Sequence, residues 1–122
     1  MKKLAALVLS LVIACSIIGS AMAMDYPVRP INNVIPFGAG GGTDVWNRAL
    51  MKAMGEIMGQ TIVSSNMTGG SAGSTGVNYA WMSPHDGYTL CGTSETPLTI
   101  PVMTGLPQTS KDWSYFIVTI HP

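Results

Sequence analysis

Two glycine-rich stretches hold the residues of this sequence whose types and spacing suit binding chemistry. The first, Val34-Ile-Pro-Phe-Gly-Ala-Gly-Gly-Gly-Thr-Asp-Val45, is a short apolar run that breaks into glycines and restarts as a helix at Thr43 or Asp44. Glycine lets a backbone turn tightly and approach a ligand, and a helix opening directly afterwards aims unpaired N–H groups at the same spot. Such a place holds anions. Nucleotides do not fit it. A P-loop needs Lys and then Ser or Thr after its last glycine, and Gly42 runs straight into Thr43 and Asp44. The dinucleotide pattern fails too, because counting from Gly38 gives Gly40 and then Thr43 in place of a third glycine. What remains is an anion site without nucleotide chemistry, or a plain strand-to-helix turn with no ligand.

The second stretch, Asn66-Met-Thr-Gly-Gly-Ser-Ala-Gly-Ser-Thr-Gly76, feeds another expected helix at residues 74–81, with Val77, Ala80 and Trp81 as its apolar side. Ser74 or Thr75 suits its N-cap, and Ser71, Ser74 and Thr75 are placed to cap or to donate to an anion. Asp44 reads two ways, as a catalytic carboxylate or as a charge in the first helical turn, four residues ahead of Arg48, where it favours the macrodipole. A secreted hydrolase using Ser71 or Ser74 is the enzymatic alternative, but neither serine sits in a nucleophile elbow and no base is evident. His85 and His121 have no second ligand at metal spacing, so neither a metal nor another cofactor is expected. Trp46, Trp81 and Trp113 stand in helix or strand-edge contexts that suit packing.

The elements that must position these loops follow from the rest of the chain. It has 122 residues, about one small domain, and six basic residues balance six acidic ones, which gives nucleic acid nothing to bind. Met1-Lys-Lys, the apolar residues 4–18 and Ala21-Met-Ala23 make an export signal over residues 1–23, and so a periplasmic destination. Val12-Ile-Ala-Cys15 offers the alternative of a lipoprotein anchor at Cys15. Cys91 would then be a buried free thiol with no disulfide to join. Strands are expected at 31–37, from 61, at 88–92 and at 115–120. An amphipathic helix ending at Gly59 is expected to bury Val45, Ala49, Ala53 and Ile57, with Trp46, Leu50, Met54 and Met58 beside them. Residues 93–105 read as an irregular connection. Strands alternating with helices indicate an α/β layer with a parallel sheet, in which both glycine loops lie beyond the carboxyl ends of the strands.

Taken together, Tyr26-Pro-Val-Arg-Pro-Ile31, the first glycine stretch, Gly59-Gln60, the second stretch and Asp86-Gly-Tyr-Thr-Leu90 resemble the periplasmic substrate-binding subunit of the tripartite tricarboxylate transporters, the Bug receptor family. The resemblance runs through the mature chain to about Trp113. It implies a type II periplasmic-binding-protein-like fold of two α/β domains, with residues 24–122 as the N-terminal part of the first; the second domain and the returning segment would be absent. It also implies a receptor, and no enzyme, that closes on a di- or tricarboxylate or related organic acid and delivers it to membrane permease subunits. The ligand-binding residues carried over are Phe37, Gly38, Ala39, Gly40, Gly41, Thr43 and Asp44 in the first loop and Gly70, Ser71, Gly73, Ser74 and Thr75 in the second. Ser94, or Thr93 beside it, follows the third strand. Met67-Thr68 replaces the basic-residue-proline pair usual in the family, and the second loop is one residue longer. Family members continue well past the length of this chain, so a fragment is expected, with an inactive truncated remnant as the alternative.

Overall fold

The computed structural model describes residues 25–105 and 107–117. The expected export signal, Cys15, His121 and residues 118–120 of the expected fourth strand lie outside the described residues; residues 115–117 form no strand. Three parallel strands make the sheet: β1 (Ile31–Ile35), β2 (Ile62–Asn66) and β3 (Thr89–Cys91), in the order β2-β1-β3. Central β1 is covered on both faces, so it tolerates a nearly continuous buried run of Ile31, Asn33, Val34 and Ile35. Edge strand β2 alternates half-buried and exposed residues, as expected with one face covered. The register pairs Ile35 with Asn66 and Val34 with Cys91, which ends all three strands along one edge.

Helix α1 (Gly42–Met58) joins β1 to β2, and α2 (Ser74–Met82) joins β2 to β3. They lie on opposite faces. Asn33 of β1 donates to Asn47 of α1, whereas Pro36, of the opposite parity along the chain, lies against Gly73 and Gly76 at the start of α2.

The expected amphipathic face of α1 is covered only in part: Leu50, Met54 and Met58 are half-buried, and the fully buried residues lie beside it. Asp44, Asn47 and Met51 face the sheet, and Val45, Trp46 and Ile57 are exposed. The sheet has taken the neighbouring stripe, about 100° round the helix. Polarity does not bar that stripe, because Asp44 and Asn47 both find hydrogen-bond partners there. Gly55 also lies on it, and a Cβ there would come within 2.9 Å of the Gln60 carbonyl oxygen and 3.7 Å of Ile62 Cγ1, so the helix passes the turn into β2 at its smallest residue.

Residues 93–105 hold a helix, α3 (Thr96–Thr104), where an irregular connection was expected. Pro97 stands at its start, where a missing N–H costs nothing, and Pro101 lies inside, four residues on. Burial of Thr96, Pro97 and Ile100 against the rest of the molecule outweighs the poor propensity. Gly59 ends α1 in the left-handed conformation, as expected.

The lead-in is fastened to the turn before β3 at the amino end of the sheet. Tyr26 donates to the Gly87 carbonyl (2.6 Å), and the Val28 N–H donates to the Tyr88 hydroxyl (3.0 Å). Arg29 pairs with Asp86 at 2.9 Å and lies 3.8 Å over the Tyr88 ring. Two distant sequence motifs thus meet as a clasp on the edge opposite the glycine loops.

The burial pattern of α1 gives a direct test. Met51→Ala is expected to cost about 2–5 kcal/mol in a urea titration, and Ile57→Ala, at a side chain 86% exposed, less than about 0.5 kcal/mol.

Candidate functional site at the carboxyl edge of the sheet

The first loop leaves β1 through buried Pro36 and reaches α1 at Gly41, whose backbone is extended (φ −70°, ψ 162°). It turns at Gly40, where φ is +80°, a conformation that glycine adopts without steric cost. No side chain caps the start of α1. Added Cβ atoms at Gly38, Gly40 and Gly42 would meet nothing within 4 Å, so the space over the loop is open. A Cβ on Gly41 would meet only the Gly38 carbonyl oxygen at 3.3 Å, and its φ suits any residue. The demand for glycine therefore falls on Gly40.

Asp44 is the inner anchor of this loop. Its side chain is only 5% exposed. One oxygen accepts the Gly40 N–H at 2.9 Å; the other accepts Asn66 Nδ2 at 2.8 Å and Arg48 Nε at 2.8 Å. The Gly40 N–H, then Asn66, then Arg48 hold the carboxyl below the usual carboxylate range, against the opposing effect of burial. Asn66 also donates to the Phe37 carbonyl at 2.9 Å and accepts from Arg48 at 2.7 Å. This carboxylate is engaged within the chain, as the structural reading of Asp44 expects.

The second loop runs from Met67 through a 3-10 turn, Ser71–Gly73, into α2. Its N-cap is Gly73 in the left-handed conformation; neither Ser74 nor Thr75 takes that place, and no side chain caps this start either. The reason is steric. A Cβ on Gly73 would come within 2.7 Å of the Pro36 carbonyl oxygen, so the chain passes under the first loop at a point that only glycine permits. Ala72 is held at φ +53°, an unfavourable backbone for a residue with a side chain. The Met67 N–H donates to the Ile35 carbonyl at 2.8 Å, a further tie between the two loops.

The loop of Phe37, Gly38, Ala39, Gly40, Gly41 and Thr43 and the loop of Gly70, Ser71, Ser74 and Thr75 are joined at their roots, by Pro36 against Gly73 and Gly76, by Met67 to the Ile35 carbonyl and by Asn66 to the Phe37 carbonyl. Gly73 and Asp44 are both buried. In the third connection Ser94 is exposed and next to Glu95, whose carboxyl is held below its ordinary range by its own backbone N–H and then by the Ser94 hydroxyl. The Thr93 hydroxyl contacts that of Thr96. Sequence reasoning missed Pro36 and Asn66; the Asp44 to Arg48 spacing was the one visible signal of the network.

Other candidates lie elsewhere. Among the described residues no group of His, Cys, Asp and Glu suits a metal. His85 bonds the Trp81 carbonyl at 3.0 Å, beyond the far end of α2 from Ser71 and Ser74, about 13 Å of helix away. Burial pushes the free Cys91 thiol up to about 12, so it stays protonated and inert.

No family model matches the chain. It is 37% identical over 95 residues to Protein BugT of Bordetella pertussis, covering 76% of this chain and 29% of that protein. A UPF0065 protein of the same organism is 34% identical over 104 residues, 84% of this chain and 30% of the relative. Among solved structures, one described as a periplasmic transporter aligns with a TM-score of 0.60 at 34% identity, over 66% of this chain and 27% of its own. The periplasmic binding protein BugD aligns with a TM-score of 0.50 at 41% identity, over 54% and 22%. An R. palustris protein solved with adipate aligns with a TM-score of 0.56 at 33% identity, over 59% and 24%. The chain therefore spans less than a third of the length of each.

The geometry sets two expectations. Gly73→Ala should lose more than about 1 kcal/mol by thermal or urea unfolding, while Ala72→Gly next to it should be neutral or stabilising by up to about 1 kcal/mol. Asp44 binds its proton less readily folded than unfolded, so its contribution is complete above the ordinary carboxylate value of about 3.9 and is lost as pH falls through the lower folded value. The stability gap between the wild type and Asp44→Asn should accordingly be steady from pH 7 to 5 and close in acid, as urea titrations across pH would read.

Proposed function

Because the chain belongs, over the residues it shares with them, to the Bug family of periplasmic binding proteins, we propose that it forms the N-terminal part of the first domain of a solute receptor for a small carboxylate. Residues 1–23 direct export to the periplasm, and residues 24–122 carry the first ligand-binding wall. The ligand is a di- or tricarboxylate or a related organic acid, and the receptor delivers it to the permease subunits of a tripartite tricarboxylate transporter. The observation that carries this reading is the pair of glycine loops at the carboxyl edge of a parallel sheet, each opening a helix without a side-chain cap and tied to the other through Pro36 against Gly73, Asn66 to the Phe37 carbonyl and Met67 to the Ile35 carbonyl. Helix starts favour anions through their N–H groups and dipoles, although at α2 the Ser74 and Thr75 N–H groups already donate to the Ser71 and Gly69 carbonyls. An aligned relative solved with adipate, a dicarboxylate, supports the class of ligand. Phe37 to Gly41 with Thr43 form one grip and Gly70, Ser71, Ser74 and Thr75 the other, with Ser94 at the rim.

No observation favours the hydrolase. Ser71 and Ser74 have no base near them among the described residues, and His85 is engaged at the other end of α2.

The test is calorimetric titration of the full-length natural receptor that carries this segment with adipate, succinate and citrate. At least one is expected to bind, and silence from a wide panel of di- and tricarboxylates would overturn the reading. Gly38→Val should weaken that binding by at least about tenfold, or 1.4 kcal/mol, with little change in melting temperature, because its Cβ fills open space without meeting the chain.

A further inference from the structure

We infer that Asn66, oriented by Arg48, is a positioning residue of the first loop: it sets the direction of the Phe37–Gly38 peptide and ties the two glycine loops into one unit. The inference rests on the receptor reading for its consequence, but the geometry stands apart from it. Asn66 is the last residue of β2 and opens the second loop, while its side chain works on the first. Its Nδ2 donates to the Phe37 carbonyl at 2.9 Å and to Asp44 at 2.8 Å. Its Oδ1 accepts from Arg48 at 2.7 Å, which leaves the amide only one useful orientation. Arg48 is itself fixed by Asp44 at 2.8 Å and by the Ser64 carbonyl at 3.2 Å.

A trans peptide points its C=O and N–H in opposite directions. With the Phe37 carbonyl turned to Asn66, the Gly38 N–H is turned away from it, and the space over Gly38 is open. The loop has little else to fix that plane. Its own backbone supplies one long turn bond, Gly41 N–H to the Gly38 carbonyl at 3.3 Å, and the Gly40 N–H is engaged with Asp44. Glycines at 38, 40, 41 and 42 leave the segment free to flip unless a side chain from outside holds it. Arg48 has a second effect. It offsets the buried Asp44 charge, which would otherwise repel a ligand carboxylate from the same helix start.

The experiment compares the full-length receptor with its Asn66→Ala, Asn66→Ser and Arg48→Lys variants, and with Asn78→Ala, which removes a distant bond to Gln108, as control. Two quantities are read: the carbonyl shift of Phe37 with the amide shifts of Gly38 and Gly40 in the ligand-free protein by NMR, and the Kd for adipate or whichever carboxylate the wild type binds. Asn66→Ala is expected to move the loop signals and to raise Kd at least tenfold, with Asn66→Ser restoring part of both through its single donor. Asn78→Ala should leave both unchanged. A merely structural Asn66 would lower the melting temperature without moving these signals beyond the control, and that result overturns the inference. So does an unchanged Kd in Asn66→Ala when the wild type binds. Should Asn66→Ala fail to fold, Arg48→Lys, which keeps the charge and loses the fork to Asn66 and Ser64, decides by the same two readings. If the wild type binds no carboxylate and the loop signals still move as expected, the positioning stands and the receptor reading falls.

Discussion

A carboxylate taken out of water at the start of a helix has to be compensated, and Asp44 is compensated from three directions. The loop before it supplies the Gly40 N–H, the next turn of α1 supplies Arg48, and the end of β2 supplies Asn66. Each partner belongs to a different element, so satisfying one buried charge fixes the loop, the helix and the edge strand relative to one another. A charge so placed is unfavourable without partners, and here each of the three lowers the cost of keeping it ionised. The choice of the Asp44, Asn47 and Met51 stripe as the inner face of α1 follows from this. The apolar residues beside it are half-buried at Leu50, Met54 and Met58 and exposed at Val45, Trp46 and Ile57.

Pro36 is the second point of fixation. It has no N–H to leave unpaired and is buried where β1 ends, with Gly73 and Gly76 of the second loop pressed against it. That contact explains three features of the second loop together: glycine at 73, the absence of a serine cap, and Ala72 held at a positive φ. Strain at Ala72 persists because the residues on either side are determined elsewhere, Gly73 by Pro36 and the loop start by the Met67 bond to β1. No side chain caps either helix start, and at α2 the loop's own Ser71 and Gly69 carbonyls accept the Ser74 and Thr75 N–H groups.

The legible parts of the sequence were those written in local chemistry. Glycine runs after apolar runs located both loops, Gly59 ended its helix, and the apolar run from Val34 pointed to a buried parallel strand, although β1 itself carries Asn32 and Asn33. What failed depended on tertiary partners. The helical period of α1 was correctly seen, but period alone does not say which stripe meets the sheet once Asp44 and Asn47 find partners 14 and more residues away. Pro97 and Pro101 argued against α3, and burial of Ile100 overrode them. Ser74 had the right side chain for a cap, yet the steric fit at Gly73 decided the geometry. Asn66 looked like the first residue of a loop, and nothing local told that its amide serves the other one.

Affinity arithmetic indicates what these loops can and cannot do on the receptor reading. A charge-assisted hydrogen bond is worth roughly 1.5–3 kcal/mol, and a helix start adds about 0.3–1 kcal/mol. Four such bonds and two helix starts come to about 7–14 kcal/mol, against about 4–15 kcal/mol for immobilising the ligand. Micromolar binding needs a net of about 8 kcal/mol, which this wall reaches only at the favourable end of both ranges. The Gly40 N–H is already engaged with Asp44, which lowers the count of donors further. Contacts from outside the described residues then have to supply the balance and to exclude water, and the matched relatives have the length for it, since this chain spans 29–30% of them. Donors from backbone N–H groups read a carboxylate group without reading what is attached to it. On the receptor reading, the two loops would hold a carboxylate end whatever is attached to it, and discrimination between one acid and another would fall to residues other than these.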